Sequence, residues 1–419
     1  MTVTSLHQHP RPIPVDPRGA DLPAQAARLR AAGDVVAVEL LGGVRAWMPT
    51  TQRVMEPLLT DPRVSRDARR HWDAWGNGWL AGHPEAHWMY GLISDSMLSS
   101  YGPEHTRLRK LVAPAFTGRR IKALQPAFDR IAAGLLDPLA RVAPGEVTDL
   151  RAVFADPLPL RVICEMFDVR GEGAVAVKEF ATILLNDPAA LGSSDAPEVC
   201  RAAFAEVLAD KRVHPGDDLT TALVQAQDGD DTLTDTEIVD TMVLVLGAGL
   251  ETTVHLIGNA IVALLQHPEQ LAEVRAGRVP WEAVVEETLR FAAAAPMSPL
   301  RFAVEDITVG DVRIRAGEAI IAAFGLYGWD PARHGEDAGR FDIGRPAPAR
   351  HLAFGHGVHH CLGAPLARAE ALTALPALFE RFPRVSLAGS GSPDRVPSFL
   401  IHGFREIEVV LDHGEPDRQ

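Results

Sequence analysis

The sequence predicts a mainly α-helical protein with small β-sheets, and three observations lead to this fold class. Apolar residues between Thr51 and Pro296 recur at helical spacing over most of that range. A long helix over 235–267 has a start signal and a stop signal in the sequence. Two stretches rich in branched residues and interrupted by glycine, 35–48 and 307–321, predict short strands and hairpins.

The long helix is the clearest element. Thr234 and Glu237 have the spacing of a capping box, in which a hydroxyl and a carboxylate satisfy free backbone amides, and Pro268 ends the helix. At 1.5 Å per residue the helix spans roughly 50 Å, enough to cross a domain. Glu251 near its middle argues against a membrane span, because an ionisable side chain is costly in lipid. We therefore predict a buried central helix.

The composition is that of a folded globular protein. Of the 419 residues, 47% are hydrophobic and 23% are charged, which excludes a disordered or collagen-like chain. The net charge of −14 disfavours nucleic acid and anionic membrane as partners of the whole surface. The length alone would permit two or three domains. With neither an internal repeat nor a long linker in the sequence, we predict one domain over residues 1–419.

The termini and the cysteines indicate the compartment. Residues 1–18 are rich in Pro, His and Thr, and we expect a flexible N-terminus without a signal sequence or membrane anchor. The three cysteines, Cys164, Cys200 and Cys361, cannot all pair, and they stand in unlike surroundings. A disulfide framework is therefore not expected, and a reducing, cytoplasmic location is. Lysine is scarce relative to arginine, which favours GC-rich bacterial coding.

The segment from Phe354 to Gly363 carries the strongest chemical signal. Its glycines let the backbone turn tightly around Cys361 and approach a flat ligand closely. A helix is predicted to begin just after the cysteine, where a thiolate is favoured. Two alternatives are an inert buried cysteine and a zinc site that also uses neighbouring histidines. Ligands at adjacent positions such as His359, His360 and Cys361 do not easily converge on one tetrahedral ion.

This segment resembles the signature of the cytochrome P450 superfamily, Phe-x-x-Gly-x-x-x-Cys-x-Gly, at every fixed position. The resemblance is to soluble bacterial members of actinobacterial type and covers at least residues 101–403. It implies a triangular, helix-rich prism with the long helix (234–267) over a haem b group. Cys361 would be the thiolate ligand to the iron within a cysteine loop and following helix over 351–370. Further haem contacts in the loop would be Phe354, Gly355 and Gly363.

Basic residues are needed beside the two haem propionates. His105 and Arg109 lie four apart on a predicted helix and match the family's His-x-x-x-Arg. By the same resemblance Arg301, His351 and His359 are further propionate contacts. For each of these residues taken alone, the alternative is an ordinary charged side chain on the protein surface.

A second set of charges resembles the family's buried ionic cluster. Glu287 and Arg290 lie three apart on one helix face. Arg340 is predicted to complete the cluster, whose role would be to hold the cysteine loop. Without the family resemblance, Glu-x-x-Arg would more often be a solvated surface pair.

The middle of the long helix contains Ala248-Gly249-Leu250-Glu251-Thr252-Thr253, which resembles the family's oxygen-binding motif. The glycines weaken the helix, and we expect a bulge there with room for a diatomic ligand. The resemblance makes Ala248 a haem contact and makes Glu251 and Thr252 the acid and alcohol that deliver protons to oxygen. Leu250 stands where many members have His. The alternative is a polar kink without chemistry.

Substrate contacts are predicted less sharply. Four tryptophans, Trp72, Trp75, Trp79 and Trp88, precede the helix at His105 and suggest an aromatic lid over a bulky hydrophobic substrate. An alternative of equal weight is that these tryptophans pack beneath a long loop and contact no substrate. By resemblance, 294–299 and 398–402 line the cavity. Polyketides and macrolides, steroids and terpenoids all remain open as substrates.

The electrons must come from another protein, because no flavin-binding or nicotinamide-binding domain accompanies the predicted haem site. The resemblance implies NAD(P)H, a ferredoxin of the 2Fe-2S or 3Fe-4S type, and its reductase. Residues 105–128 contain six basic residues and no acidic one. The six are Arg107, Arg109, Lys110, Arg119, Arg120 and Lys122. They predict a docking face for an acidic partner, with a plain solvated helix as the alternative.

The predicted function is oxygen insertion from O2 into a hydrophobic small molecule. The same haem-thiolate site would also serve epoxidation, phenol coupling or peroxide-driven oxidation. The presence of both Glu251 and Thr252 favours oxygen-dependent turnover. From a different class, a haem-binding sensor or a catalytically silent partner protein remains an alternative.

Overall fold

The fold was analysed in a computed structural model, which describes residues 11–83, 85–86, 96–186, 194–345, 351–389 and 391–411. Helices dominate these residues. They are α1 (Leu22–Ala32), α2 (Gln52–Thr60), α3 (Ala68–His71), α4 (Asp73–Gly76), α5 (Gly102–Val112), α6 (Gly118–Ala123), α7 (Gln125–Leu136), α8 (Pro157–Phe167), α9 (Gly171–Asn186), α10 (Ala196–Val213), α11 (Leu219–Val224), α12 (Asp235–Gln266), α13 (Pro268–Arg275), α14 (Trp281–Phe291), α15 (Pro331–His334) and α16 (Ala364–Arg381).

The strands are short. They are β1 (Ile13–Pro14), β2 (Val35–Leu40), β3 (Val44–Pro49), β4 (Val64–Ser65), β5 (Val147–Asp149), β6 (Gln227–Asp228), β7 (Asp231–Thr232), β8 (Arg301–Ala303), β9 (Ile307–Val309), β10 (Val312–Ile314), β11 (Ala319–Ile320), β12 (Ser386–Leu387) and β13 (Glu408–Val410).

The central helix α12 forms as the sequence predicts. Thr234 Oγ1 accepts a hydrogen bond from the Glu237 amide at 3.2 Å, and Glu237 Oε2 accepts one from the Thr234 amide at 2.8 Å. The capping box is therefore confirmed. The helix packs against α8, α10, α14 and α16 at the centre of the largest apolar cluster. Among the described helices it alone has the length and hydropathy of a membrane span, and more than half of its apolar window is buried, as in a core helix.

Both predicted β regions are confirmed. β2 and β3 form an antiparallel hairpin in which Val35 pairs with Pro49, and β9 and β10 form a second hairpin. The larger sheet has the strand order β1-β2-β3-β11-β8-β4. Its strand β8 starts at Arg301 and is buried throughout, so the sheet brings this arginine into the interior of the protein.

The expectation of a flexible N-terminus is wrong for part of residues 1–18. Residues 1–10 lie outside the described residues. Ile13 and Pro14 pair in parallel with Val38 and Glu39, and the Val15 amide donates to the Glu39 carbonyl at 2.9 Å. Because strand pairing satisfies the backbone here and Val15 is buried, this stretch is held against the sheet.

The expected bulge in α12 is also not seen, because the helix is continuous through Gly247 and Gly249. Thr252 Oγ1 instead donates to the Ala248 carbonyl at 2.7 Å, one turn earlier. The helix is intact at this point, so the Thr252 hydroxyl gives the Ala248 carbonyl an additional hydrogen bond. It does not replace a missing backbone hydrogen bond.

Candidate active site

The cysteine loop folds back on itself between α15 and α16. The Cys361 amide donates to the Phe354 carbonyl at 2.8 Å, which closes the loop. Gly355 and Gly357 have φ values of 72° and 76°, a region that other residues rarely adopt. A Cβ atom at Gly357 would lie 2.6 Å from the Leu59 carbonyl oxygen of α2. Glycine is therefore required at this position both for its conformation and for the close contact.

Cys361 lies three residues before the first residue of α16. Cys361 keeps solvent-exposed surface. The protein around its sulfur nevertheless raises the pKa of the thiol, because burial disfavours the charged form. Hydrogen bonds from the amides of Gly363 and Ala364 act in the opposite direction, as do the nearby Arg109 and Arg368. Amides and cations directed at the sulfur are the surroundings that stabilise a thiolate.

The predicted ionic cluster forms, but one of its members differs from the prediction. Arg290 makes a two-point contact with Glu287, and both side chains are buried. The second arginine at Glu287 is Arg345, whose Nε lies 3.3 Å from Oε1. The assignment of Arg340 is wrong for its side chain, because that residue is exposed and contributes only its carbonyl, which accepts from Arg290 at 2.7 Å.

Four basic side chains gather beside the cysteine loop. Arg66, Arg301 and His105 are all buried, and the His105 and His359 rings lie 4.1 Å apart. Burial and the neighbouring cations lower the pKa of His359 to about 2, and burial lowers the pKa of Arg301 to about 10. Within the described part of the chain none of these four side chains has an acidic partner. Arg66 Nε and His105 Nε2 also lack any hydrogen-bond partner there.

Arg66 and Arg301 are buried without counter-ions among the described residues, and because an unpaired buried charge is costly, this cluster calls for an anion. A haem with its two propionates fits the requirement, and the tight glycine turn around Cys361 fits a flat group held by sulfur. Arg66 is a member of this cluster that sequence reasoning missed. It stands near Arg69 and Arg70, and nothing in the local sequence distinguishes the buried arginine from its exposed neighbours.

The other two predicted propionate residues have protein partners. Arg109 Nη2 donates to the His360 carbonyl at 2.8 Å, so it contacts the cysteine loop directly. His351 Nε2 lies 3.1 Å from Glu286, and its Nδ1 accepts from the Ala353 amide. The structure thus places His351 in a contact with Glu286 and does not bring it into the cluster of four basic side chains.

Glu286 joins this region to α16. Arg368 binds the Glu286 carboxylate through two nitrogens, and its guanidinium lies 4.6 Å from the Phe354 ring centroid. Burial raises the pKa of Glu286, but the hydrogen bonds from His351 and Arg368 outweigh it, and the pKa falls to about 2. A permanently charged carboxylate therefore holds both sides of the cysteine loop.

The polar motif of α12 supplies the remaining candidate groups, Ala248, Glu251 and Thr252. Burial raises the pKa of Glu251 to about 7, with Asp156 adding to the rise and Arg151 opposing it. A carboxyl that titrates near neutrality is suited to accept and release protons. This property follows from the surroundings of Glu251 within the fold and not from the motif itself.

Comparison with known proteins identifies the family. The Cytochrome P450 family model matches residues 199–277 and 281–402. The chain is 38% identical over 417 residues to 2-hydroxy-5-methyl-1-naphthoate 7-hydroxylase of Streptomyces carzinostaticus, covering 96% of this chain and 97% of that enzyme. The chain is a cytochrome P450.

Two further comparisons agree. This P450 is 38% identical to 6-deoxyerythronolide B hydroxylase of Saccharopolyspora erythraea, over 92% of this chain and 95% of that enzyme. The structure of testosterone-bound CYP154C4 from Streptomyces sp. ATCC 11861 superposes with a TM-score of 0.87, at 40% identity over 96% of this chain and 99% of that one. The predicted P450 fold and monooxygenase class are confirmed.

The predicted lid of this P450 is described only in part, since Trp88 lies outside the described residues. Trp72 is buried and stacks on Phe302 of β8 with ring centroids 5.4 Å apart. Trp75 and Trp79 pack against the apolar cluster that contains Trp72 and Phe302. For Trp72 the structure thus favours the alternative of aromatic packing beneath the loop.

The two predicted cavity segments are joined directly. The His402 amide donates to the Ala294 carbonyl at 2.8 Å, so 294–299 and 398–402 lie side by side. Ser298 Oγ accepts from Arg301 at 2.8 Å. This bond connects the first segment to the cluster of four basic side chains through Arg301.

The basic stretch over 105–128 divides into two groups. Arg107 pairs with Asp231 and Glu237, and Lys110 pairs with Asp228. Arg119, Arg120 and Lys122 are instead exposed on the short helix α6 and have no ion pair within the described part of the chain. Three cations of the stretch are therefore available to a partner protein.

Proposed function

We propose that this P450 hydroxylates a bulky hydrophobic small molecule of the polyketide or macrolide, steroid or terpenoid class. Haem b is the proposed cofactor. The observation that carries this proposal is a set of four basic side chains next to the glycine turn of Cys361, three of them buried and none with an acidic partner among the described residues. In one place it offers charge for two carboxylates and a sulfur ligand for iron.

When bound, the haem would supply an iron centre that activates O2 with electron density from its thiolate ligand. Cys361 is the proposed ligand. His105, Arg301 and His359, together with Arg66, would hold the propionates. Arg109 and His351 would support the loop from its two sides, through the His360 carbonyl and Glu286. Phe354, Gly355 and Gly363 would form the surface against which the flat ring lies.

The proposed proton donors lie on α12. Glu251 takes up protons from the solvent side and releases them towards the oxygen site, and its titration near neutrality suits both steps. Thr252 presents its hydroxyl from the next position, held by the Ala248 carbonyl. Ala248, with its small side chain, would leave room against the haem face.

The substrate class is inferred from relatives and from the cavity segments. The relatives include a naphthoate hydroxylase and a 6-deoxyerythronolide B hydroxylase, and the structural neighbour holds testosterone. The compounds in these three names are each built on a fused ring system or a macrocycle. A screen of such compounds against the ferric protein, followed by the spin-state change in its absorption spectrum, would identify ligands that reach the iron.

The electron source is proposed to be NAD(P)H, passed through a ferredoxin reductase and a ferredoxin of the 2Fe-2S or 3Fe-4S type. Arg119, Arg120 and Lys122 support this partner, because they form an exposed basic patch, without ion pairs to the residues that the structure describes, on a chain of net charge −14. A cytoplasmic location is proposed with it, where such carriers and reduced thiols are found.

The deciding experiment is the carbon monoxide complex of the reduced protein. Thiolate ligation gives the strongly red-shifted Soret band, and Cys361→Ala should abolish it while Cys164→Ala retains it. The same band in Cys361→Ala would refute the site. Hydroxylated product formed with NAD(P)H, ferredoxin and reductase would then separate an enzyme from a haem-binding sensor.

A further inference from the structure

The face of α12 that carries Glu251 has two more polar side chains at successive turns, His255 and Asn259. Both are buried, with 2% of each residue exposed, in an otherwise apolar stretch of the helix. Asn259 has an evident structural role, because its Nδ2 donates to the carbonyls of Ala292 and His402. Within the described residues His255 Nε2 is buried without any hydrogen-bond partner.

The orientation of the His255 ring is fixed by packing. A Cβ atom at Gly403 would lie 1.9 Å from His255 Nδ1, so the backbone at Gly403 lies directly against that side of the ring. The opposite nitrogen, Nε2, lies 4.0 Å from Glu251 Oε1. A small rotation of the Glu251 side chain would bring these two atoms within hydrogen-bond distance.

The charges around this pair come from several elements. Arg151, just before α8, faces both Glu251 and His255 and is itself bound to Asp156 and to the carbonyls of Phe404 and Arg405. Asp156 faces Glu251. On the C-terminal side His402 faces His255, and Arg395 faces His402 in turn.

These surroundings set the protonation of the pair. Burial, with a contribution from Arg151, lowers the pKa of His255 to about 3, so its imidazole is neutral at pH 7. The Glu251 carboxyl exchanges its proton near pH 7. A neutral imidazole with its proton on Nε2 serves such a group in both states, since it donates to an oxygen of the carboxylate and also to the carbonyl oxygen of the carboxylic acid.

We propose that His255 is a positioning residue for Glu251, whose carboxyl it holds through Nε2 as that carboxyl gains and loses the proton it delivers. The inference rests on the proposed role of Glu251 in proton delivery. His255 undergoes no net change: the proton leaves the Glu251 oxygen towards the oxygen site, and a proton from solvent restores it.

The test compares the titration of Glu251 in the ferric holoenzyme of wild type and variants. The infrared band of the protonated Glu251 carboxyl, assigned by its loss in Glu251→Gln, is followed against pH. His255→Leu should raise the pKa of Glu251 by about one unit or more. Removal of a hydrogen-bond donor destabilises the charged carboxylate more than the neutral carboxylic acid. His255→Asn, which keeps a donor and an acceptor, should stay close to wild type.

His267→Asn is the matched control, because His267 caps the same helix and its Nδ1 contacts the Ala263 carbonyl away from Glu251. It should leave the titration unchanged. If His255→Leu yields no folded holoenzyme, His255→Met supplies the second apolar variant. The pH profile of product formed per NAD(P)H should shift to higher pH in the apolar variant by the same amount as the infrared midpoint.

An unchanged Glu251 midpoint in the apolar variants would overturn the inference. That outcome is distinct from failure of the proposed function. In the latter case the wild-type protein itself lacks the thiolate band of the carbon monoxide complex, whereas the inference is judged in protein that has that band.

Discussion

Arg290 and Glu287 meet through two parallel hydrogen bonds within one turn of α14, with Nε 2.7 Å from Oε2 and Nη2 2.6 Å from Oε1. Arg278 and Glu273 form a contact of the same geometry at 2.7 Å for both bonds, on the protein surface. The first pair is buried and the second is exposed. The chain therefore contains its own control for the effect of burial.

Glu287→Gln should lower the free energy of unfolding by ~3–5 kcal/mol, since it leaves the Arg290 guanidinium buried without its counter-ion. Glu273→Gln makes the same change in the exposed pair and should cost no more than ~1 kcal/mol. Denaturant titration of both variants measures the difference. Equal effects would show that burial of the first pair contributes nothing.

Arg66→Leu should weaken haem binding and at the same time stabilise the apoprotein. The loss of a buried cation facing a propionate is expected to cost at least ~2 kcal/mol of haem affinity, which is more than tenfold. Without haem the same cation is buried and has no acidic partner among the described residues, so its removal should raise the free energy of unfolding by ~1–4 kcal/mol. Haem transfer to an acceptor protein and denaturant titration of apoprotein measure the two effects.

The control for this prediction is Arg70→Leu, because Arg70 is exposed and pairs with Asp67. Neither haem affinity nor apoprotein stability should change by more than ~0.5 kcal/mol there. If Arg66→Leu weakens both haem binding and the apoprotein, Arg66 has a packing role and its place in the propionate site is wrong.

Thr252→Ala should divert electrons from product into hydrogen peroxide while substrate affinity stays nearly unchanged. The hydroxyl is lost from the proton path, but its hydrogen bond to the Ala248 carbonyl is an extra bond on an intact helix, so the fold is retained. Product and peroxide formed per NAD(P)H give the measurement. Thr252→Ser should restore most of the coupling.

Glu251→Gln is expected to slow turnover by roughly 10²-fold, the lower end of what a positioned acid contributes. Its substrate-induced spin change should match wild type. Wild-type coupling in both Thr252→Ala and Glu251→Gln would remove α12 from proton delivery.

Reversal of Arg119, Arg120 and Lys122 to Glu should sharply lower the rate of ferredoxin-dependent reduction at low ionic strength. Added salt should shrink the difference from wild type, since the Debye length falls to ~10 Å at 0.1 M. Reduction by dithionite should not change. As a control, reversing Arg18, Arg141 and Arg333 makes the same change in net charge at other exposed positions. Equal slowing in both triple variants would mean that overall charge, and not this patch, governs the encounter.

The sequence was most informative where chemistry depends on short spacing. The capping box of Thr234 and Glu237 and the glycine turn around Cys361 are local, and both form as predicted. The sequence is less informative about which arginines are buried. Arg345 replaces Arg340 at Glu287, and Arg66 was missed, because tertiary contacts decide which of several nearby arginines is taken out of water.

The expected bulge at Gly247 and Gly249 failed for a related reason. The sequence shows that glycine weakens the helix locally, but it does not show how strongly the rest of α12 is held by the helices packed on it. The neutral state of His255 has the same origin, since burial against Gly403 is a property of the folded chain.

The contact between Gly357 and the Leu59 carbonyl also bears on how the protein is made. The two residues are 357 − 59 = 298 positions apart, so α2 leaves the ribosome long before the cysteine loop is synthesised. Because the two segments pack directly against each other, the loop reaches its final shape only after residue 357 has been synthesised. The packing of the cysteine loop against α2 therefore depends on two segments that are synthesised far apart in time, and it forms only after the later one is present.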